Sequence, residues 1–110
     1  MSMEVPLHTL ESVAGTLGPT AYAVVSDSDR PPRITHVTPT FSDSSITFGL
    51  GRTSIELLRR HGQLGLLWPA TDQEGMSLIV DAEVGDVLED GRVRVVPTSA
   101  VRHRPAPTLD

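Results

Sequence analysis

Between Ala21 and Val96 the chain is a succession of short apolar or β-branched runs, each closed by Gly, Pro, Asp or Ser. Runs of this length, bounded by turn residues, predict short strands. Ala21 to Val25 is continuously apolar, as in a strand covered on both faces, and Asp27 to Pro32 is a polar turn. Ile34 to Phe41 is rich in β-branched residues, with Pro39 marking an edge or bulge. Ser42 to Ser45 turns the chain into a third strand, where Ile46, Phe48 and Leu50 alternate. Leu64 to Trp68 predicts a fourth strand, followed by a loop from Pro69 to Gly75. Leu78, Val80, Ala82 and Val84 predict a fifth, with a bulge at Gly85. Asp90-Gly91 suits a type I′ hairpin turn, and Arg92 to Val96 returns as the sixth strand. Pro97, Pro105 and Pro107 then punctuate a tail that leaves the sheet.

Two helices interrupt this pattern. Leu7, Leu10, Ala14 and Leu17 recur at helical spacing, with Val13 widening the stripe and Gly18-Pro19 as the stop. Thr53-Ser54-Ile55-Glu56 matches a capping box with Thr53 as N-cap, and Gly62 ends that helix. The order is helix, three strands, short helix, three strands. It predicts a mainly β (α+β) fold: a small six-stranded antiparallel barrel with an N-terminal helix and a short helix between the third and fourth strands. The 110 residues form one domain, with the core over about 5–97 and the tail over 98–110.

Composition removes several chemistries. There is no cysteine, hence no disulfide, thiol nucleophile or Cys-ligated metal. All nine basic residues are arginine, which excludes a Schiff-base lysine and a P-loop lysine. A net charge of −5 and only four aromatic residues argue against a nucleic-acid partner. The start lacks a signal peptide and no apolar run reaches membrane-spanning length, so a cytoplasmic protein with no membrane partner is expected. His8, His36, His61 and His103 have no metal-ligand spacing, and no metal site is expected. Asp81 and Glu83 read as a solvated face.

The junction into the second helix is the best place for an anion. A helix N-terminus presents free amides and partial positive charge. Arg52 adds a charged fork, and Thr53 and Ser54 add hydroxyls. The alternative is that Thr53 and Ser54 only cap the helix and Arg52 is solvated.

The stretch Ala21 to Leu67 resembles the FMN-binding split barrels of the pyridoxamine 5'-phosphate oxidase-like superfamily. The resemblance is carried by Ala21-Tyr22-Ala23-Val24-Val25-Ser26, Ile34-Thr35-His36-Val37-Thr38-Pro39-Thr40-Phe41 and Ile46-Thr47-Phe48-Gly49-Leu50. Arg52 to Arg60, Gln63 to Trp68 and the strand Leu78 to Val84 continue it. It implies a homodimer holding FMN, or a deazaflavin, in a groove between subunits. Phosphate contacts would come from Arg52, Thr53 and Ser54, with Ser77 standing where some relatives use glutamine. The ring would lie along the second and third strands.

On that reading His36 shares a strand face with Thr38 and Thr40 and reaches the ring or its ribityl chain; otherwise it is a half-buried strand histidine. Trp68 either walls the ligand groove or packs the interior. Arg102-His103-Arg104 either reaches a phosphate across the dimer or belongs to the tail. The resemblance implies a flavin- or deazaflavin-dependent oxidoreductase acting on a small molecule. The alternatives are a non-catalytic flavin- or haem-binding dimeric barrel and a cofactor-free relative.

Overall fold

The computed structural model describes residues 2–72 and 75–106. The middle of the expected loop from Pro69 to Gly75, and the tail beyond 106 with Pro107, lie outside the described residues. The elements are β1 (Ser2–Glu4), a 3-10 turn (Leu7–Thr9), α1 (Leu10–Leu17), β2 (Ala21–Val25), β3 (Arg33–Val37), β4 (Thr40–Ser42) and β5 (Ser45–Gly49). They continue with α2 (Arg52–His61), β6 (Gln63–Trp68), β7 (Ser77–Val87) and β8 (Arg92–His103).

The described residues are therefore mainly β with two α-helices, and eight strands among them replace the six expected. They form one antiparallel curled sheet in the order β3-β2-β6-β7-β8-β5-β4, with β1 on the far part of β8. The path ends at β3 and β4, which are consecutive in the chain, so the curl is split between them. The second expected strand breaks there, at Thr38-Pro39. Proline has no N–H to give to a ladder, so the pairing of this strand is interrupted at Pro39.

β8 corrects the expectation of a departing tail. It runs through Pro97 to His103. β5 stops pairing at Val95 and β1 begins at Val101, so Pro97 lies where this edge of β8 has no strand partner and needs no donor. The other edge pairs with β7 throughout, with irregularities between Asp81 and Ala82 and between Val84 and Asp86. The second leaves Gly85 as the extra residue, the bulge expected there. A Cβ on Gly85 would sit 3.2 Å from the Arg94 carbonyl.

The β7–β8 turn is not type I′, which requires positive φ at both central residues. Gly91 has φ 85, but Asp90 does not have positive φ. Gly91 N–H donates to the Leu88 carbonyl at 3.3 Å and Leu88 N–H to the Arg92 carbonyl at 2.7 Å. This is a three-residue loop with Gly91 in the left-handed position.

Alternation places Ala21, Ala23 and Val25 of β2, Leu64, Leu66 and Trp68 of β6, and Leu78 and Val80 of β7 inside the curl. Ile46, Phe48, Val93 and Val95 face them from the other side of the sheet path. Each large side chain buried here contributes about 1.5–3 kcal/mol. α1 adds Leu10 and Ala14 and α2 adds Leu57 and Leu58. Leu7, expected on the helix face, belongs to the preceding 3-10 turn and stays exposed.

Candidate functional site

β5 ends at Gly49, and the next residue is tied down from a distance: Leu50 N–H donates to the Gly91 carbonyl at 3.2 Å. Gly51 is extended, with φ −72 and ψ 162, and serves as N-cap of α2; its carbonyl accepts from Ile55 N–H at 3.0 Å. The capping box centred on Thr53 is thus not formed. The helix starts earlier, no side chain caps it, and Thr53 lies within the first turn. The amides of Arg52, Thr53 and Ser54 have no intrahelical acceptor.

Charge sharpens that end. The first turn of α2 has no acidic residue, while Arg59, Arg60 and His61 occupy the last turn. The positive N-terminal end of the dipole is therefore uncompensated by its own helix, and Arg52 adds a full charge. Arg52 and Thr53 are exposed; Ser54, 4% exposed, is the single buried polar side chain among the described residues. Free amides, a guanidinium and a hydroxyl on one exposed turn form a donor set that fits a phosphate. At the other end Gly62 closes the helix in the left-handed conformation, its N–H donating to the Leu58 carbonyl at 2.7 Å.

His36 and Thr38 lie elsewhere, on and just beyond β3, and both are exposed. The imidazole stacks on the Tyr22 ring across the β2–β3 pair, with centroids 4.8 Å apart and planes 17° from parallel. Register carries this row on: Tyr22 pairs with Leu67, Leu67 with Ile79 and Ile79 with Val101. An aromatic and apolar stripe thus crosses the outer face of five strands. Ile34, 68% exposed, adjoins it opposite Val24.

Trp68 and Ser77 share a third location. Trp68 is 1% exposed and packs on Phe41 with ring centroids 5.9 Å apart. It lines a cavity of about 340 Å³ beside α1, so it both fills the interior and walls a recess. The Ser77 hydroxyl oxygen accepts from Ala70 N–H at 3.1 Å and closes the segment after β6. A second cavity of about 460 Å³ opens between the 3-10 turn, the β4–β5 hairpin and β8.

The expected site residues therefore fall into three groups: Arg52, Thr53 and Ser54; His36 and Thr38; Trp68 and Ser77. Among the described residues no hydrogen bond or ring contact joins one group to another. Arg102 and His103 lie in β8, where the Arg102 guanidinium donates to the Met76 carbonyl at 3.3 Å. No group of His, Asp and Glu side chains suited to a metal ion is found among the described residues. Nor is any helix there long and apolar enough to cross a membrane. Sequence reading missed Tyr22, although its alternation in β2 was the available signal, and it missed Gly51, whose role depends on the distant Gly91.

No protein-family model and no curated protein matches this sequence. Solved structures do match in fold. A FAD-binding protein from Mesorhizobium loti superposes with a TM-score of 0.66 at 11% identity, covering 93% of this chain and 96% of its own. A FAD-binding protein from Mycobacterium smegmatis gives 0.63 at 15%, covering 94% and 100%. A candidate pyridoxamine 5'-phosphate oxidase from Listeria innocua gives 0.69 at 11%, covering 87% and 96%. The chain shares the fold of these proteins over nearly its whole described length.

Proposed function

We propose that this protein is a flavin-binding split barrel that acts as an oxidoreductase and works as a homodimer. The observation that carries the reading is the uncapped N-terminus of α2, with Arg52 at its first position, in a fold shared with proteins named for FAD binding. Arg52, the amides of the first turn and the Thr53 hydroxyl would hold the flavin phosphate, whether of FMN or FAD. The stacked Tyr22 and His36 offer a flat surface to a ring system, and His36 can donate a hydrogen bond to a ring carbonyl. When bound, a flavin supplies hydride or single-electron transfer. The apolar stripe from Tyr22 to Val101 would be covered by the second subunit.

Among the described residues no ionisable residue is buried as a whole, although the His61 Nε2 and Arg102 Nε atoms are. That observation suits a protein whose residues bind and orient while the cofactor reacts, and equally favours a second reading, a flavin carrier without catalysis. Titration of the purified protein with FMN and FAD by fluorescence tests both. Saturable micromolar binding, weakened about tenfold by Arg52→Ala, is expected from the loss of a charged hydrogen bond. Absence of binding removes the reading. Reoxidation of the bound reduced flavin by an added quinone, faster than for free flavin, separates enzyme from carrier.

A further inference from the structure

The cavity of about 460 Å³ shares no lining residue with the segment from Gly49 to Ser54. It exists because β8 changes partners: past Val95 its edge has lost β5, and β1 does not begin until Val101. The 3-10 turn and the start of α1 stand over the gap without filling it. Its apolar wall includes Leu7, Leu10, Phe41 and Val96. Leu7 and Val96 are 44% and 43% exposed, two of the four large apolar side chains left exposed among the described residues. A peptide strand is a poor occupant, because Pro97 cannot donate and the chain beside it is bulged against β7.

The charge on the lining has one sign. Glu11 and Asp43 line the cavity, no arginine does, and His8 is its one other ionisable side chain. Neither carboxylate has an ion pair or a side-chain hydrogen bond among the described residues, while Asp86 and Asp90 are both paired with arginine. Glu11 and Phe41 also line the 340 Å³ recess that reaches Trp68, which extends the apolar surface along α1. An anion placed here would meet two carboxylates. An apolar body carrying a positive charge meets complementary groups at both ends.

We propose that this cavity binds a small organic ammonium ion. The aryl or alkyl part rests on Leu7, Leu10, Phe41 and Val96, and the ammonium is held by Glu11 and Asp43. The inference rests on the cavity alone and stands or falls independently of flavin binding.

The test is an NMR titration of the ¹⁵N-labelled full chain, without flavin, using 2-phenylethylammonium, with 3-phenylpropanoate and 2-phenylethanol as charge controls. The expected result is saturable binding of the amine, at least fivefold tighter than either control, with shifts centred on His8, Phe41, Ser44 and Val96. The double variant Glu11→Gln, Asp43→Asn should lower amine affinity about fivefold to tenfold, in line with two partly exposed charge pairs. Both replacements are close in shape and lie at exposed positions, and an unchanged spectrum elsewhere verifies folding. Equal binding of the carboxylate, undiminished binding by the double variant, shifts centred elsewhere, or no saturation by the amine would each overturn the proposal.

Discussion

The Asp90 carboxylate holds the tip of the longest hairpin by two bonds. Its Oδ1 accepts from Arg92 N–H at 3.2 Å and its Oδ2 from Arg92 Nε at 2.7 Å. The Arg92 side-chain hydrogen bond, reinforced by the Arg92 amide, holds the Asp90 pKa below the usual aspartate value. A carboxylate with a lowered folded-state pKa stabilises the fold above its unfolded pKa, and that contribution is lost as pH falls through the folded value. An NMR titration of the Asp90 carboxyl should find a depressed midpoint, and Arg92→Ala should move it back up. The pair is exposed and its effect on global stability small. Gly62 sets a larger local demand: at φ 77 a side chain is strained, and Gly62→Ala should destabilise by about 1 kcal/mol in urea unfolding.

At the scale of elements, α2 separates local from distant causes. Its existence, its apolar side with Leu57 and Leu58, and its end at Gly62 are legible in the sequence, because periodicity and a left-handed glycine are local signals. Its start is not legible. Gly51 caps it because Leu50 is tied to Gly91, and no local pattern contains that bond. The consequence is testable: Thr53→Ala should change stability by less than about 0.5 kcal/mol, whereas loss of a true N-cap costs about 1 kcal/mol. The strand ends follow the same rule. Gly85 was readable as a bulge, but the passage of β8 through Pro97 depends on where β5 and β1 stop pairing. Candidate site residues were legible as types and segments; their grouping was not, since strand order decides which segments become neighbours.

Across the molecule as a whole, one sheet face carries a half-buried apolar row among the described residues. Tyr22, Leu67, Ile79 and Val101 lie in register across that outer face, and Ile34 projects beside them. If a second copy covers it, light scattering will return twice the chain mass of 11.8 kDa. Ile34→Glu together with Ile79→Glu should then give a folded monomer, because a carboxylate on each side opposes closure of the apolar contact. A wild-type monomer would remove the interfacial part of the proposal. The phosphate site proposed on α2 uses residues of one chain and is tested separately. The most direct measurement is a ¹⁵N–¹H NMR titration with FMN, followed at the amides of Arg52, Thr53 and Ser54. These three amides should shift first and furthest, and Arg52→Ala should weaken the effect about tenfold. Saturable FMN binding that leaves these amides unmoved, or no binding at all, would contradict the proposed site.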